Sequence, residues 1–181
     1  MPGPFTVDDF DWLSRLVLDA WGSAVDGDWT VPAGALEWSC FKTADHTVDC
    51  VFSYAFFLAS RKTDWYPNWG ELHANEGATP ADILDGLRAA SELLRATILA
   101  APAETQAIIA LGPEPRTGDP QDFAARGGLE LILHAHDVCS GLGVPFDPPR
   151  DLCERLLTHT GGQPAEDPWQ ALLDRSGRPT P

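Results

Sequence analysis

A chain of 181 residues, 44% of them hydrophobic, is long enough to bury one core and too apolar to stay disordered. Its formal charge of −15 repels nucleic acid and anionic membrane surfaces, so neither is an expected partner. No stretch approaches the ~20 apolar residues of a membrane-spanning helix, and Met1 to Asp9 shows no basic start followed by an apolar run. A cytoplasmic protein of one domain, residues 1–181, is expected, with a core over about 6–158 and a tail over 159–181 packing on it. The cysteines, Cys40, Cys50, Cys139 and Cys153, are scattered with no C-x-x-C pair, which reads as free thiols.

Thr6 caps a first helix, with Asp8 and Asp9 in its first turn and Phe10, Leu13, Val17 and Trp21 on one face. Residues 26–34, with two glycines and Pro32, break it. Ser39 caps a second helix to about Ser60, apolar enough to lie deep in the molecule. Residues 62–78 read as a long loop carrying Trp65, Tyr66, Pro67, Asn68 and Trp69, and ordered loops of that length are often functional. Thr79, Pro80 and Asp82 open a third helix, with Ile83, Leu87, Leu94 and Ile98 at helical spacing. A proline-rich connection follows, from Gly112 to Gly118. Asp119-Pro120 opens a fourth helix to about Ser140, stopped by Gly141 and Gly143. Asp147-Pro148 opens a short fifth through Leu157, and one further turn is expected near residues 169–173. With no credible run of alternating strands, the fold expected is all-α: a four-helix bundle with a short additional C-terminal helix.

Glu130 and His134 stand four apart and so share a helix face. A carboxylate and an imidazole at that spacing can grip one metal ion, as side chains do inside helix bundles. The flanking Leu129, Leu131, Ile132 and Leu133 make this a poor place for an unpaired charge, so Glu130 needs a partner. Two readings stay open: a metal, or a Glu–His pair bracing two helices. His46, followed by Val48, Val51, Phe52, Ala55 and Phe56, is the candidate third ligand. Asp137, one turn beyond His134, either orients that imidazole or is a helix-end acid. His136 points elsewhere on the helix. Cys50, one turn after His46, can bind zinc, although a small buried cysteine is the commoner case. Arg126, one turn before Glu130, can anchor a substrate carboxylate, pair with Glu130, or pair with Asp122 at i, i+4. Gly127-Gly128 suit close helix packing or room for a ligand, and Trp38, Tyr54, Trp65 and Trp69 suit a pocket mouth or the core.

Two blocks carry a resemblance. Trp29-Thr30-Val31-Pro32-Ala33-Gly34-Ala35-Leu36-Glu37-Trp38-Ser39-Cys40 followed by His46 is similar to the N-terminal domain of mycothiol-dependent maleylpyruvate isomerases of the DinB superfamily. Gly118-Asp119-Pro120, with Glu130, His134 and Asp137, resembles that group's later motif, and a closing Leu172-Leu173 with Gly177-Arg178 is also similar. The likeness spans about residues 6–143. It implies a DinB-like four-helix bundle holding a divalent metal on His46, Glu130 and His134: zinc first, with nickel(II) and iron(II) as alternatives. Those isomerases carry a further C-terminal domain, whereas this sequence ends soon after the bundle. The resemblance is therefore read for the metal site more than for the isomerase reaction.

Three protein ligands leave a position open for water or substrate, which favours an enzyme over a structural metal protein. The expected activity is a metal-dependent, thiol-using transferase or isomerase acting on a small electrophile, with a low-molecular-weight thiol such as mycothiol as cosubstrate. Other readings are a non-catalytic metal-binding bundle, or a hydrolase or tailoring enzyme using metal-bound water. No catalytic side chain is assigned beyond the ligands. The expected partners are the small substrate and the thiol, in a monomer or homodimer.

Overall fold

Helices begin where a side chain can satisfy their first backbone N–H groups. In the computed structural model, which describes residues 3–67, 70–110 and 116–178, the expected caps are in place. α1 covers Val7–Gly22: the Asp9 amide donates to the Thr6 hydroxyl, and the Thr6 amide donates back to the Asp9 carboxylate. α2 covers Cys40–Ser60 and is capped by Ser39. α3 covers Pro80–Ala100, opened by the reciprocal pair Thr79 and Asp82. α4 covers Pro120–Leu142, opened by Asp119 and Asp122 and closed by Gly143 at φ 67°, a left-handed conformation that glycine adopts freely.

Three expectations need correction. A short hairpin, β1 at Ala107–Ala110 and β2 at Arg116–Gly118, pairs antiparallel between α3 and α4. Ala107, Ile108 and Ile109 are all buried, so β1 shows no alternation to announce a strand. The fifth helix does not open at Asp147-Pro148: α5 covers Arg150–His159 with no side-chain cap. Pro149 disfavours helical backbone at Pro148, which delays the start. The single turn expected near residues 169–173 is a helix, α6 at Pro168–Arg175, capped by Asp167. Asn68, Trp69 and residues 112–115 of the proline-rich connection lie outside the described residues.

The molecule is mostly helical. α1 to α4 pack on one another, and α5 and α6 pair with each other, α5 also touching α4. Phe10, Leu13, Val17 and Trp21 of α1 are fully buried against the others, as are Leu87 and Leu94 of α3 and Leu131 and Ile132 of α4. Full burial of such a side chain is worth about 1.5–3 kcal/mol. Gly127 and Gly128 prove to be packing positions. A Cβ at Gly127 would lie 2.7 Å from Leu94 Cδ2, and one at Gly128 would lie 2.8 Å from Phe5 Cζ.

Arg155 of α5 reaches Asp9 of α1 with a two-pronged contact at 2.7 and 3.1 Å. Burial pushes the Asp9 carboxyl up, but hydrogen bonds from Arg155 and Thr6 outweigh it and hold the group below 3.8. A depressed carboxyl stabilises the fold above its unfolded value and loses that contribution as pH falls through its folded value. Asp9→Asn is therefore expected to be less stable than the parent near neutrality, with the gap closing below pH 3.8. Urea titrations at several pH values test this, and a gap that does not change with pH would rule out a charge effect.

Candidate metal centre

α2 and α4 face each other, and their facing stripes carry the polar groups. His46, Cys50 and Tyr54 recur every four residues along α2, and Glu130 and His134 do so on α4. The His46 and His134 rings meet edge to face with centroids 5.4 Å apart, so two residues far apart in sequence are neighbours in the fold. Tyr54 donates its hydroxyl proton to Glu130 Oε1 at 3.2 Å, tying the carboxylate to the opposite helix.

His134 is held from behind. Its Nδ1 lies 3.1 Å from Asp137 Oδ2. Asp137 is in turn gripped by Arg178, whose Nη2 is 2.7 Å and Nε 2.9 Å from the two carboxylate oxygens. Burial works to push the Asp137 carboxyl up, but His134 and Arg178 outweigh it and hold it below the ordinary carboxylate range. An ionised Asp137 accepts the Nδ1 proton. In the neutral ring, Nε2 then carries a bare lone pair.

That lone pair faces a carboxylate. His134 Nε2 lies 3.6 Å from Glu130 Oε2, too far for a hydrogen bond. Two acceptors turned toward each other need a positive charge between them, either a proton on Nε2 or a metal ion. The separation of 3.6 Å is that of a His–Glu ion pair and is also near the distance of about 3.4 Å between ligands of one tetrahedral zinc ion. Two imidazoles and a carboxylate are also an ordinary donor set for such an ion. The assembly is nevertheless incomplete. Among the described residues, no group of three or more His, Cys, Asp or Glu side chains is arranged to hold a metal. His46 Nε2 lies 3.4 Å from Cys50 Sγ.

Comparison with family models, with curated proteins and with solved structures finds no match. The site therefore rests on its own geometry.

Beside it, α2 and the 62–78 loop enclose a cavity of about 280 Å³ lined by Cys50, Tyr54, Phe57, Tyr66 and Glu71 among others. The loop is strapped to α2: Tyr66 stacks on Phe57 at 4.4 Å, and Asp49 and Asp45 accept the Leu72 and Ala74 amides at 2.8 Å each. Burial first, and then the Glu130 charge, push the Cys50 thiol up to about 12 and move the Tyr54 phenol upward as well. Both shifts work against ionisation of these two groups.

Tyr54 thus lines the cavity and touches the site. Trp38 packs edge-on against His46 at 5.3 Å, Trp65 is 61% exposed, and Trp69 lies outside the described residues. His136 is buried against Trp169, away from the His134 group. Arg126 forms no ion pair with Asp122 or Glu130 among the described residues. Asp122 instead caps α4 and contacts His159 at 3.1 Å, which corrects the i, i+4 pairing. The sequence reading missed the roles of Tyr54 and Arg178. The four-residue spacing of Tyr54 behind His46 and Cys50 was the available signal for the first.

Proposed function

We propose that the chain is a DinB-like four-helix bundle that holds a divalent metal, zinc first, on His46, Glu130 and His134. We propose further that it works as a thiol-dependent transferase or isomerase on a small electrophile. The observation that carries this reading is the spacing of Glu130 Oε2 and His134 Nε2, 3.6 Å apart, with the other ring nitrogen committed to Asp137. A divalent metal, when bound, lowers the pKa of a coordinated thiol enough to keep it as the thiolate. The protein's own groups orient the proposed ligands. Arg178 and Asp137 keep His134 in the tautomer that presents Nε2. Tyr54 holds Glu130 by a hydrogen bond, and Phe57 and Tyr66 give an apolar electrophile an aromatic wall beside the site.

A second reading has an observation of its own. Cys50 Sγ lies 3.4 Å from His46 Nε2, near the roughly 3.5 Å between sulfur and nitrogen ligands of one tetrahedral ion. A fourth internal ligand would close the site and leave a structural metal protein. Cobalt-substituted protein separates the two. Under the enzyme reading, a sulfur-to-metal charge-transfer band grows when a small thiol is added and strengthens as pH rises toward that thiol's pKa. The band should survive Cys50→Ser. A band that needs no added thiol and vanishes in Cys50→Ser means a closed site and sinks the transferase reading.

A further inference from the structure

A cavity of about 370 Å³ opens on the far side of Arg126, among β2, α4 and the end of α5. Arg116, Arg126 and His159 line it, in a chain with only 12 Lys and Arg against 27 Asp and Glu. Asp122 also lines it, but its charge is committed. One oxygen accepts the Asp119 amide at 2.9 Å, and the other lies 3.1 Å from His159 Nε2. The Thr160 hydroxyl donates to the Leu156 carbonyl at 2.8 Å. Two nitrogens of the lining side chains, Arg126 Nε and His159 Nδ1, are sealed from solvent with no hydrogen-bond partner.

Buried polar atoms left without partners are costly and rare, and Arg126 Nε, which always carries a proton, calls for an explanation. The Arg126 guanidinium suits one ligand chemistry. A guanidinium fork matches carboxylate and phosphate oxygens in pairs. His159 Nε2 faces Asp122 at 3.1 Å, which leaves Nδ1 as the ring's other polar atom. The surrounding excess of acid makes a pocket with two arginines more distinctive than it would be on a basic protein.

We propose that this cavity binds a small oxyanion, a carboxylate or phosphate group, between Arg116 and Arg126, with His159 oriented toward it by Asp122. None of the three basic groups is a proposed metal ligand, and Arg126 also hydrogen-bonds Tyr54 on the side facing α2.

Calorimetric titration with inorganic phosphate and, separately, with succinate tests it and identifies the chemistry. Saturable binding of either anion is expected. It should weaken by about tenfold or more in Arg116→Gln and in His159→Gln, since each removes a charge-assisted contact. Arg88→Gln, an exposed arginine on α3, controls for general loss of positive charge and should bind as the parent does. Should a lining variant fail to fold, the His159 ring nitrogens of the parent protein provide the readout, and their NMR shifts should move on saturation. Absence of binding by both anions, binding unchanged in Arg116→Gln and His159→Gln, or unmoved His159 shifts at saturation would overturn the proposal.

Discussion

Replacing both His46 and His134 with Ala is expected to leave the purified protein with almost no bound divalent metal. Each single change should remove most of it, because each imidazole is one of the three proposed protein ligands and a lone carboxylate grips zinc weakly. Arg178→Gln should have a smaller effect of the same kind. It leaves the proposed ligands intact but frees Asp137 to turn away from His134, and loss of such outer support costs about 10–100-fold in metal affinity. The order parent, Arg178→Gln, single His variant, double variant is thus specific to a metal held from behind by Asp137. Metal content by mass spectrometry, on protein purified without a metal-affinity tag, measures it. Stoichiometric zinc in the double variant would refute the ligand assignment. Chelation adds a second readout. A ligand at a hundredfold excess over its dissociation constant stabilises the native state by about 2.7 kcal/mol, so stripping the metal should lower Tm. Helicity at room temperature should persist, because the apolar helix faces supply most of the stability. An unfolded apo protein would mark the metal as structural, as in small zinc domains.

What could be read from the sequence divides along the range of the interactions involved. Thr6, Ser39, Thr79 and Asp119 cap their helices through bonds to residues two or three positions away, so a local pattern announces them. The pairing of Glu130 with His134 is equally local. His46 came from its place on an apolar face and from the resemblance, and the meeting of its ring with His134 is a tertiary fact. The grip of Arg178 on Asp137 spans 41 residues and follows no spacing rule. The same holds for His159 and Asp122, 37 residues apart, a contact that displaced the expected Arg126–Asp122 pair. Tertiary partners won there because the Asp122 carboxylate was already fixed by the helix cap, leaving one oxygen aimed at α5 rather than along α4. The β1–β2 hairpin escaped for a different reason. Its strands have four and three residues and no alternation, too little pattern to tell from an apolar loop.

Gly141→Ala is expected to be among the most damaging single changes in the protein, and its sign makes it informative. Gly141 sits inside α4, where glycine is ordinarily the poorer residue, so substitution in open space would gain up to about 1 kcal/mol. The surroundings predict the opposite. A Cβ there would strike the Pro32 carbonyl oxygen, lie 2.6 Å from Cys40 Sγ and stand 3.1 Å from Ala33 Cα. Two of those three neighbours are backbone, which cannot turn aside as a flexible side chain would. Residues 31–40 are also pinned: the Cys40 amide donates to the Val31 carbonyl at 2.8 Å, and Gly34, at φ 56°, closes on Asp137 and Ser140 of the same helix. Overpacking of this kind costs about 1–3 kcal/mol or more, and each kcal/mol lowers Tm by about 2–4 °C in a chain of this size. The displaced segment leads straight into α2, with Trp38 before its cap and His46 in its second turn, so metal affinity should fall along with stability. Thermal unfolding of Gly141→Ala beside Gly143→Ala separates packing from backbone strain. Gly143 has nothing within 4 Å of its would-be Cβ and suffers only from its positive φ. The cost at Gly143 should therefore be moderate and leave metal affinity untouched, whereas Gly141→Ala should lose both. A Gly141→Ala protein as stable as the parent would mean that the 31–40 segment does not press on α4 as described, and that the placement of His46 rests on something else.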